Sequence, residues 1–429
     1  MLRRHFISYL LRSSAGLAAG SVLSACGADA TSRKANRRPI PGTVPVSVPK
    51  RPSAKAIIFL YMTGGPSQLD TFDPKPGTSN AAGARAVSTN VAGMQFGSLL
   101  PRLATMADKL AVLRSLTSKE GSHARARHLM HTGYTPAGGI QHPAFGSITA
   151  AQLGKGPLPS YVSIGGPGAG AGFLGGAYSP FSVLNPTRNV RNLARHRSIG
   201  DPRFRRRMRL WSELEGDFAK THDVPVVHGQ RASGERAVAM MDSLKVDAFN
   251  LEKEPESAKK PFGSSRFGLG CLMARRLVQV GVPFVEVNLN GWDTHTDHQT
   301  RIKPLCETLD RGMSALLADL ASNGLLESTL VVWTGDFGRT PRMSPRGGRD
   351  HYPKLSPAVF AGGGVRGGQV IGATDKNGED IVGSAVSVPD CYRSIASAIG
   401  VDPDTERKSR AGRPIATVDG GRVIHGLFA

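Results

Sequence analysis

Short apolar runs separated by longer amphipathic stretches make up most of the chain from residue 55 onward. The apolar runs predict buried strands at residues 55–63, 110–113, 161–164, 283–289 and 329–334. Helical spacing predicts helices at residues 100–109, 123–131, 269–280 and 305–321, with Ser122 as a possible cap of the second. Strands that alternate with helices over this length predict an α/β fold, with a mostly parallel central sheet flanked by helices.

Two stretches depart from this alternation. Residues 185–265 are charged and helical in pattern, which predicts a helical insertion on the sheet, and the basic run 203–209 is typical of a solvated face. Residues 27–54 are rich in Pro, Ser, Arg and Lys and predict a disordered linker. The α/β domain is therefore expected to span residues 55–429.

The first 26 residues have the pattern of a twin-arginine lipoprotein signal. Arg3 and Arg4 precede apolar residues, and small residues lead into Cys26, the residue that a lipid would modify. A plain signal peptide with a chance cysteine is the alternative. The pattern predicts export by the twin-arginine route to the periplasm or cell envelope. Because the chain has no apolar run of about 18 residues, we expect an N-terminal lipid to be its only membrane attachment.

The formal net charge of +21 is large and attracts polyanions. In an exported protein this favours sulfated or phosphorylated glycans, or anionic lipid headgroups. The chain has no basic motif with interleaved aromatic residues, so nucleic acid is not predicted as a partner. A basic surface without a specific partner fits the charge equally well. The cysteines beyond Cys26 are widely spaced, which predicts buried small hydrophobes and no disulfide framework.

Polar clusters follow three of the predicted strands. They are Ser67, Asp70 and Asp73; then Asp293, His295, Asp297 and His298; then Asp336, Asp350 and His351. Because parallel strands bring their carboxyl ends to one edge of a sheet, we expect these clusters to converge. Carboxylate and imidazole groups together suit zinc, manganese or iron, and calcium when oxygens predominate. The glycine-rich residues 165–176 have no GxGxxG before a helix, so no nucleotide cofactor is predicted.

Several motifs together resemble one family of exported proteins. They are GGPSQLDTFDPKP (64–76), GSHARARHLMHTGYTP (121–136), GWDTH (291–295), DFGRTP (336–341), GRDHYP (348–353) and AGGGVRGGQVIG (361–372). Their order resembles domain-of-unknown-function family 1501, a sulfatase-like branch of the alkaline phosphatase superfamily. The resemblance implies an alkaline-phosphatase-like α/β fold and a metal-dependent hydrolase of sulfate or phosphate esters, with anionic polysaccharides as the expected substrates.

The resemblance also implies metal ligands. Asp293 and His295 match the superfamily's Asp-x-x-x-His ligands at a shorter spacing, with Asp297 and His298 as alternatives. Asp336 matches the Asp of Asp-His-Gly, and His351 matches the final His. Asp70 or Ser67 would replace the Asp expected after the first strand, where Gly64-Gly65 stands. Phe337 takes the place of the His in Asp-His-Gly, which favours one divalent metal (zinc, manganese or calcium) over two.

Catalytic roles follow from the same resemblance. Ser122 stands at the start of a helix, as the superfamily nucleophile does, and a metal-bound water is the alternative. Arg125 and Arg339 would offset developing negative charge, and His123 and His128 would act as acids or orienting groups. The pattern has no cysteine to oxidise to formylglycine. A different function is a non-catalytic envelope protein that binds anionic glycans on a degenerate sulfatase-like scaffold. The sequence does not define the oligomeric state.

Overall fold

The computed structural model describes residues 52–196, 198–222 and 224–429. The predicted signal at residues 1–26, the lipidation of Cys26 and almost all of the linker at 27–54 lie outside the described residues. Within the described ranges, no helix is both long and apolar enough to cross a membrane.

An eight-stranded sheet forms the centre of the domain. Its strands in chain order are β1 (Ala56–Thr63), β2 (Leu110–Leu113), β3 (Tyr161–Ile164), β4 (Phe181–Val183), β5 (Phe284–Asn290), β6 (Thr329–Gly335), β7 (Ala358–Ala361) and β8 (Gln369–Ile371). Their spatial order is β8-β2-β7-β6-β1-β5-β3-β4, and only β7 runs antiparallel to its neighbours. The predicted mostly parallel sheet is confirmed, while β4, β7 and β8 were not predicted.

Helices pack on both faces of the sheet. In chain order, the α-helices of the described residues are α1 (Pro101–Ala104), α2 (His123–Thr132), α3 (Phe145–Leu153), α4 (Asp201–Thr221), α5 (Pro225–Met241), α6 (Glu256–Lys259), α7 (Arg266–Gln279), α8 (His298–Ser322) and α9 (Val388–Ile399). Two-residue and three-residue strands pair outside the sheet: Ala86–Ser88 with Gln95–Gly97, Leu116–Thr117 with Val386–Ser387, Gly338–Arg339 with His351–Tyr352, Ala373–Thr374 with Ile381–Val382, and Glu406–Lys408 with Pro414–Ala416.

The side chains of β1 explain why its sequence is continuously apolar. Ile58 and Leu60 join the core formed with α7 and α8. Ile57 and Phe59 point to the opposite face and join the core formed with α2, α3 and α9. Because both faces of this central strand are covered, no alternation with polar residues is needed.

The helices differ from their predicted bounds at several ends. The helix predicted to start at residue 305 begins instead at His298 and continues through Pro304. Helix α7 starts at Arg266 because the side chain of Ser265 accepts a hydrogen bond from the backbone of Gly268 and caps it. The helix predicted at 100–109 is two short pieces, α1 and a 3-10 turn at Ala107–Lys109. Helices α4 and α5 lie within the predicted insertion, and the arginines of 203–209 are exposed.

Three strands end together at one edge of the sheet. In β1, Thr63 is in register with Asn290 of β5, and Met62 is in register with Gly335 of β6. The segments that follow these strands therefore leave the sheet side by side, as the parallel arrangement predicts.

Candidate metal centre

Asp336 follows β6 directly and is almost fully buried. One carboxylate oxygen accepts a hydrogen bond from the Tyr61 hydroxyl. The other accepts from the backbone N–H of Gly64 at 3.0 Å and from Nδ1 of His123 at 2.7 Å. Both oxygens are thus engaged, and Asp336 fixes the ring of His123.

Two further imidazoles are held in the same way as His123. Nδ1 of His295 lies 2.5 Å from a carboxylate oxygen of Asp350. Nδ1 of His351 lies 2.8 Å from the carbonyl oxygen of Gly121. An oxygen acceptor at Nδ1 selects the tautomer with its proton on that nitrogen, so each Nε2 is left with a free lone pair.

The three Nε2 atoms surround one carboxylate oxygen, Oδ1 of Asp293. The distances are 3.0 Å from His295 and 3.3 Å from both His123 and His351. Ligand atoms of His123, Asp293 and His351 all lie within 4.8 Å of one another. The Nε2 atoms of His295 and His351 are 3.0 Å apart.

These residues fit a divalent metal ion. Nε2 of His123 is buried and has no hydrogen-bond partner among the described residues. Two imidazole nitrogens whose lone pairs face each other repel unless a proton or a cation lies between them. Three imidazoles and a carboxylate suit zinc or manganese, and carboxylates behind ligating histidines, as Asp336 and Asp350 are here, are usual in metal sites.

Charges around the centre shift its pKa values in different directions. Burial opposes ionisation of Asp293, but the hydrogen bond and charge of Arg339 outweigh it and, with His123 and His295, lower the pKa of Asp293 to about 2. The hydrogen bond to Asp336 is the main reason that the pKa of His123 is raised. Burial lowers the pKa of His351, which favours its neutral, ligating form.

Arg339 lies beneath the centre and is fully buried. Its guanidinium donates to Asp293 Oδ1 at 2.6 Å, to the carbonyls of Gly65 and Arg349 at 3.0 Å each, and to the carbonyl of Gly64. Each nitrogen of the guanidinium already has an acceptor, so this geometry suits a residue that holds Asp293 in place. That Arg339 offsets developing negative charge stays a prediction.

Phe337 and the glycine pair after β1 complete the wall of the site. The Phe337 ring lies 5.0 Å from that of His123 and 4.5 Å from that of His351, measured between centroids. A Cβ on Gly64 would lie 2.5 Å from the backbone nitrogen of Asp293, and one on Gly65 would lie 2.5 Å from the carbonyl oxygen of Phe337. Close backbone approach therefore explains why glycines stand where the family resemblance led us to expect an Asp.

Asp70 belongs to a second, buried cluster. Its carboxylate accepts from Ser67 at 2.6 Å, from Nε2 of His298 at 2.8 Å and lies 3.3 Å from Nε of Arg349. Burial alone would raise the pKa of Asp70, but His298, Arg349 and Ser67 together lower it. Asp70 is therefore not among the residues that surround Oδ1 of Asp293. Asp297, which the sequence offered as an alternative ligand to Asp293 and His295, is the N-cap of α8.

The remaining predicted residues lie along α2. Ser122 is the N-cap of this helix, is exposed, and makes no side-chain capping bond. Arg125 is mostly exposed and forms a two-pronged pair with Glu120, with bonds of 2.6 and 2.7 Å. His128 lies one turn further along the helix and is half-buried. Ser122 therefore directly precedes the candidate ligand His123, and Arg125 is paired with Glu120.

Sequence reasoning gave no role to Tyr61 and none to Asp350 beyond its place in a polar cluster. A tyrosine within the apolar run of β1 was a usable signal, because a buried hydroxyl needs a hydrogen-bond partner. Asp350 precedes His351 in the sequence, yet it bonds to His295, and nothing in the local pattern indicates that pairing.

A family model described as "Protein of unknown function (DUF1501)" matches residues 54–428. A search of curated proteins found no match. Among solved structures, the PsFucS1 sulfatase from Pseudoalteromonas sp. is 13% identical, with 82% of this chain and 68% of that chain covered and a TM-score of 0.37. Ps i-CgsB in complex with k-i-k-neocarrahexaose is 10% identical, with 82% and 73% covered and a TM-score of 0.38. Alkaline phosphatase from the Antarctic bacterium TAB5 is 13% identical, with 82% and 99% covered and a TM-score of 0.34.

Proposed function

The chain belongs to the DUF1501 family, and we propose that it is a metal-dependent hydrolase of sulfate or phosphate esters. The observation that supports this most is the convergence of three Nε2 atoms on Asp293, each imidazole being fixed at Nδ1 by an oxygen. Such a set has the ligands of a catalytic metal and stands at the sheet edge where α/β folds bind substrates.

His123, Asp293 and His351 would hold the metal, because their ligand atoms lie within 4.8 Å of one another and three protein ligands leave a position for an ester oxygen or water. His295 is a further candidate ligand. A divalent ion there would act as a Lewis acid towards an ester oxygen and lower the pKa of a bound hydroxyl or water. Asp336, Asp350 and the Gly121 carbonyl orient the imidazoles, and Arg339 orients Asp293.

Ser122 is the proposed nucleophile, with water as the alternative. It precedes the ligand His123 and stands at the N-terminus of the ten-residue helix α2, where unpaired backbone N–H groups favour an anion. Attack by the hydroxyl forms a bond from its oxygen to sulfur or phosphorus, and the bond to the alcohol oxygen breaks. The alcohol leaves with a proton, and water then hydrolyses the serine ester.

The proposed substrates are sulfated or phosphorylated glycans at the cell envelope. The formal net charge of +21 favours association with polyanions. This proposal includes export by the twin-arginine route and a lipid on Cys26, which would place the enzyme close to such polymers. Electrospray mass spectrometry of the mature protein from a membrane fraction tests the lipidation: the expected N-terminus is a lipidated Cys26, and an unmodified or different N-terminus contradicts it.

Metal analysis of the purified protein tests the centre. We expect about one zinc or manganese ion per chain, and a loss of most of it in His351→Gln and Asp293→Asn. His425→Gln is the matched control, because His425 is an exposed histidine near the C-terminus. If the metal content is well below one ion per chain and is the same in the wild type and all three variants, the metal-centre assignment is wrong.

Turnover of p-nitrophenyl sulfate and p-nitrophenyl phosphate tests catalysis. We expect hydrolysis of at least one ester, lost on metal removal and restored by the metal. Ser122→Ala should abolish turnover with metal content unchanged if serine attacks, and should leave turnover largely intact if water attacks. Stoichiometric metal without turnover of either ester, together with binding of a sulfated oligosaccharide, would instead support the non-catalytic glycan-binding function.

A further inference from the structure

A groove runs beside the metal centre along α2. Its lining includes Arg127, His128, Thr132 and His142, together with the backbone of Gly170 and Gly172. Arg127 and His128 follow the ligand His123 by four and five residues on the same helix. At a rise of 1.5 Å per residue, Arg127 and His128 lie about 6 to 8 Å from His123 along the helix axis.

Three side-chain nitrogens of residues that line this groove are buried and have no hydrogen-bond partner among the described residues. They are Nη2 of Arg127, Nε2 of His128 and Nδ1 of His142. An unsatisfied buried polar group costs about 1 to 3 kcal/mol, and a charged one costs more. Three such atoms in one groove therefore call for a ligand that supplies acceptor oxygens.

The charges of the groove define the ligand further. The guanidinium of Arg127 forms no ion pair with any described residue, and the described residues that line the groove include no Asp or Glu. Burial is the main cause that lowers the pKa of both His128 and His142, which favours the neutral imidazole with one N–H. The ring of Tyr134 stacks on His142 at 3.9 Å and 11°, which fixes the plane of that imidazole.

We propose that this groove is a second anion-binding subsite, which holds a carboxylate or sulfate group of the substrate while its scissile ester occupies the metal centre. One cation and two neutral N–H donors match an anion with several acceptor oxygens. The inference rests on the proposed function for the position of the ester. It narrows the substrate to an oligosaccharide that carries at least two acidic groups.

The test compares a small ester with a larger polyanion in the full-length, metal-loaded protein. The probes are the p-nitrophenyl ester that the wild type hydrolyses and a heparin-derived disaccharide with two sulfates and one carboxylate. For Arg127→Gln we expect disaccharide binding, measured by titration calorimetry, to weaken about tenfold, the loss typical of one charge-assisted hydrogen bond. The kcat/KM for the aryl ester should stay within about twofold of the wild type, because that ester does not reach the groove.

Arg205→Gln is the control for net charge. Arg205 is an exposed arginine on α4, outside the groove, and its replacement removes the same charge. His142→Gln is a second groove variant, which removes a donor without changing the net charge at neutral pH. Its disaccharide binding and ester hydrolysis provide the test if Arg127→Gln does not fold. Thermal melting of each variant shows whether the fold is retained.

The inference is overturned if the wild type does not bind the disaccharide, if the folded groove variants bind it as tightly as the wild type, or if Arg205→Gln weakens binding as much as Arg127→Gln. If the proposed hydrolase function is wrong, the result is different, because the wild type then hydrolyses neither aryl ester. Disaccharide binding that depends on Arg127 and His142 would then still support the subsite, in a protein that binds the glycan without cleaving it.

Discussion

Replacing Asp336 by Asn tests the metal centre through a residue that is not itself a ligand. The carboxylate lies 2.7 Å from Nδ1 of His123 and also accepts from the N–H of Gly64 and from Tyr61. Asn has nearly the same size, but its amide nitrogen is a donor and cannot accept. The amide oxygen can take the position of the oxygen that accepts from Gly64 and His123, which places the NH2 group against the Tyr61 hydroxyl and removes the negative charge behind the imidazole.

The expected loss follows from the charge behind His123. A neutral amide is a weaker acceptor for Nδ1–H than a carboxylate, so Nε2 of His123, which lies 3.3 Å from Asp293 Oδ1, becomes a less basic metal ligand. Loss of an outer carboxylate of this kind costs roughly 10-fold to 100-fold in metal affinity. This corresponds to about 1.4 to 2.8 kcal/mol of binding free energy.

Zinc affinity is measured by competition with a chromophoric chelator, on protein first stripped of metal. Tyr61→Phe is the matched control, because it removes one donor to the same carboxylate and leaves the bond to His123 intact. We expect Tyr61→Phe to cost about 1 kcal/mol of folding stability and to change zinc affinity little. If Asp336→Asn binds zinc as tightly as the wild type, or loses no more affinity than Tyr61→Phe, the proposed role of Asp336 is refuted.

Further predictions concern pH, backbone space and the buried arginine. Because the pKa of His123 is raised above its ordinary 6.5, protons compete with the metal, and zinc affinity should fall steeply when the pH drops from 8 to 6; a flat profile contradicts this. In the metal-free protein, the raised pKa of His123 means that its protonation stabilises the fold. This stabilisation is fully present below pH 6.5 and is lost as the pH rises through the pKa of His123 in the folded state. Urea unfolding across this pH range, with and without Asp336→Asn, measures the contribution. Gly348→Ala should lower zinc affinity at least tenfold, because the new Cβ would lie 1.9 Å from the backbone of His295. Gly347→Ala is the control: its Cβ meets open space, and the positive φ should cost only about 1 kcal/mol of folding stability. Arg339→Met should lower the free energy of unfolding by roughly 3 kcal/mol in urea titrations, because it leaves buried carbonyls and Asp293 without their donor; a loss below about 1 kcal/mol would show that the guanidinium is dispensable.

The sequence was sufficient to predict the sheet edge at which the candidate centre lies. Asp293, His295 and His351 follow predicted strands or lie in the loop after one, and parallel topology brings those segments together. His123 was noticed only as a candidate acid, because its helix is not a strand end. Its contact with Asp336 joins residues 213 positions apart, and no local pattern carries that information.

Residue type alone did not distinguish charged groups at the candidate metal centre from charged groups that stabilise the fold. Asp70 follows β1 as the strand-end argument requires, but it turns towards His298 and Arg349 in the interior. Arg125 and Arg339 look equivalent in the sequence, yet one is mostly exposed and paired with Glu120 while the other is fully buried. Burial of a charged side chain depends on whether distant carbonyls can accept its donors, which only the folded backbone determines.

Phe337 and Arg339 together favour one metal ion over two. Phe337 is fully buried and packs against the rings of His123 and His351, so the position that the family resemblance assigns to a second ligating histidine is apolar. Arg339 brings a fixed positive charge to 2.6 Å from Asp293 Oδ1, on the buried side of that carboxylate. A second cation there would meet a guanidinium that cannot give up its proton near neutral pH. The arginine thus offsets the charge of Asp293 from its buried side, and the three imidazole nitrogens around Oδ1 of Asp293 leave one cation position.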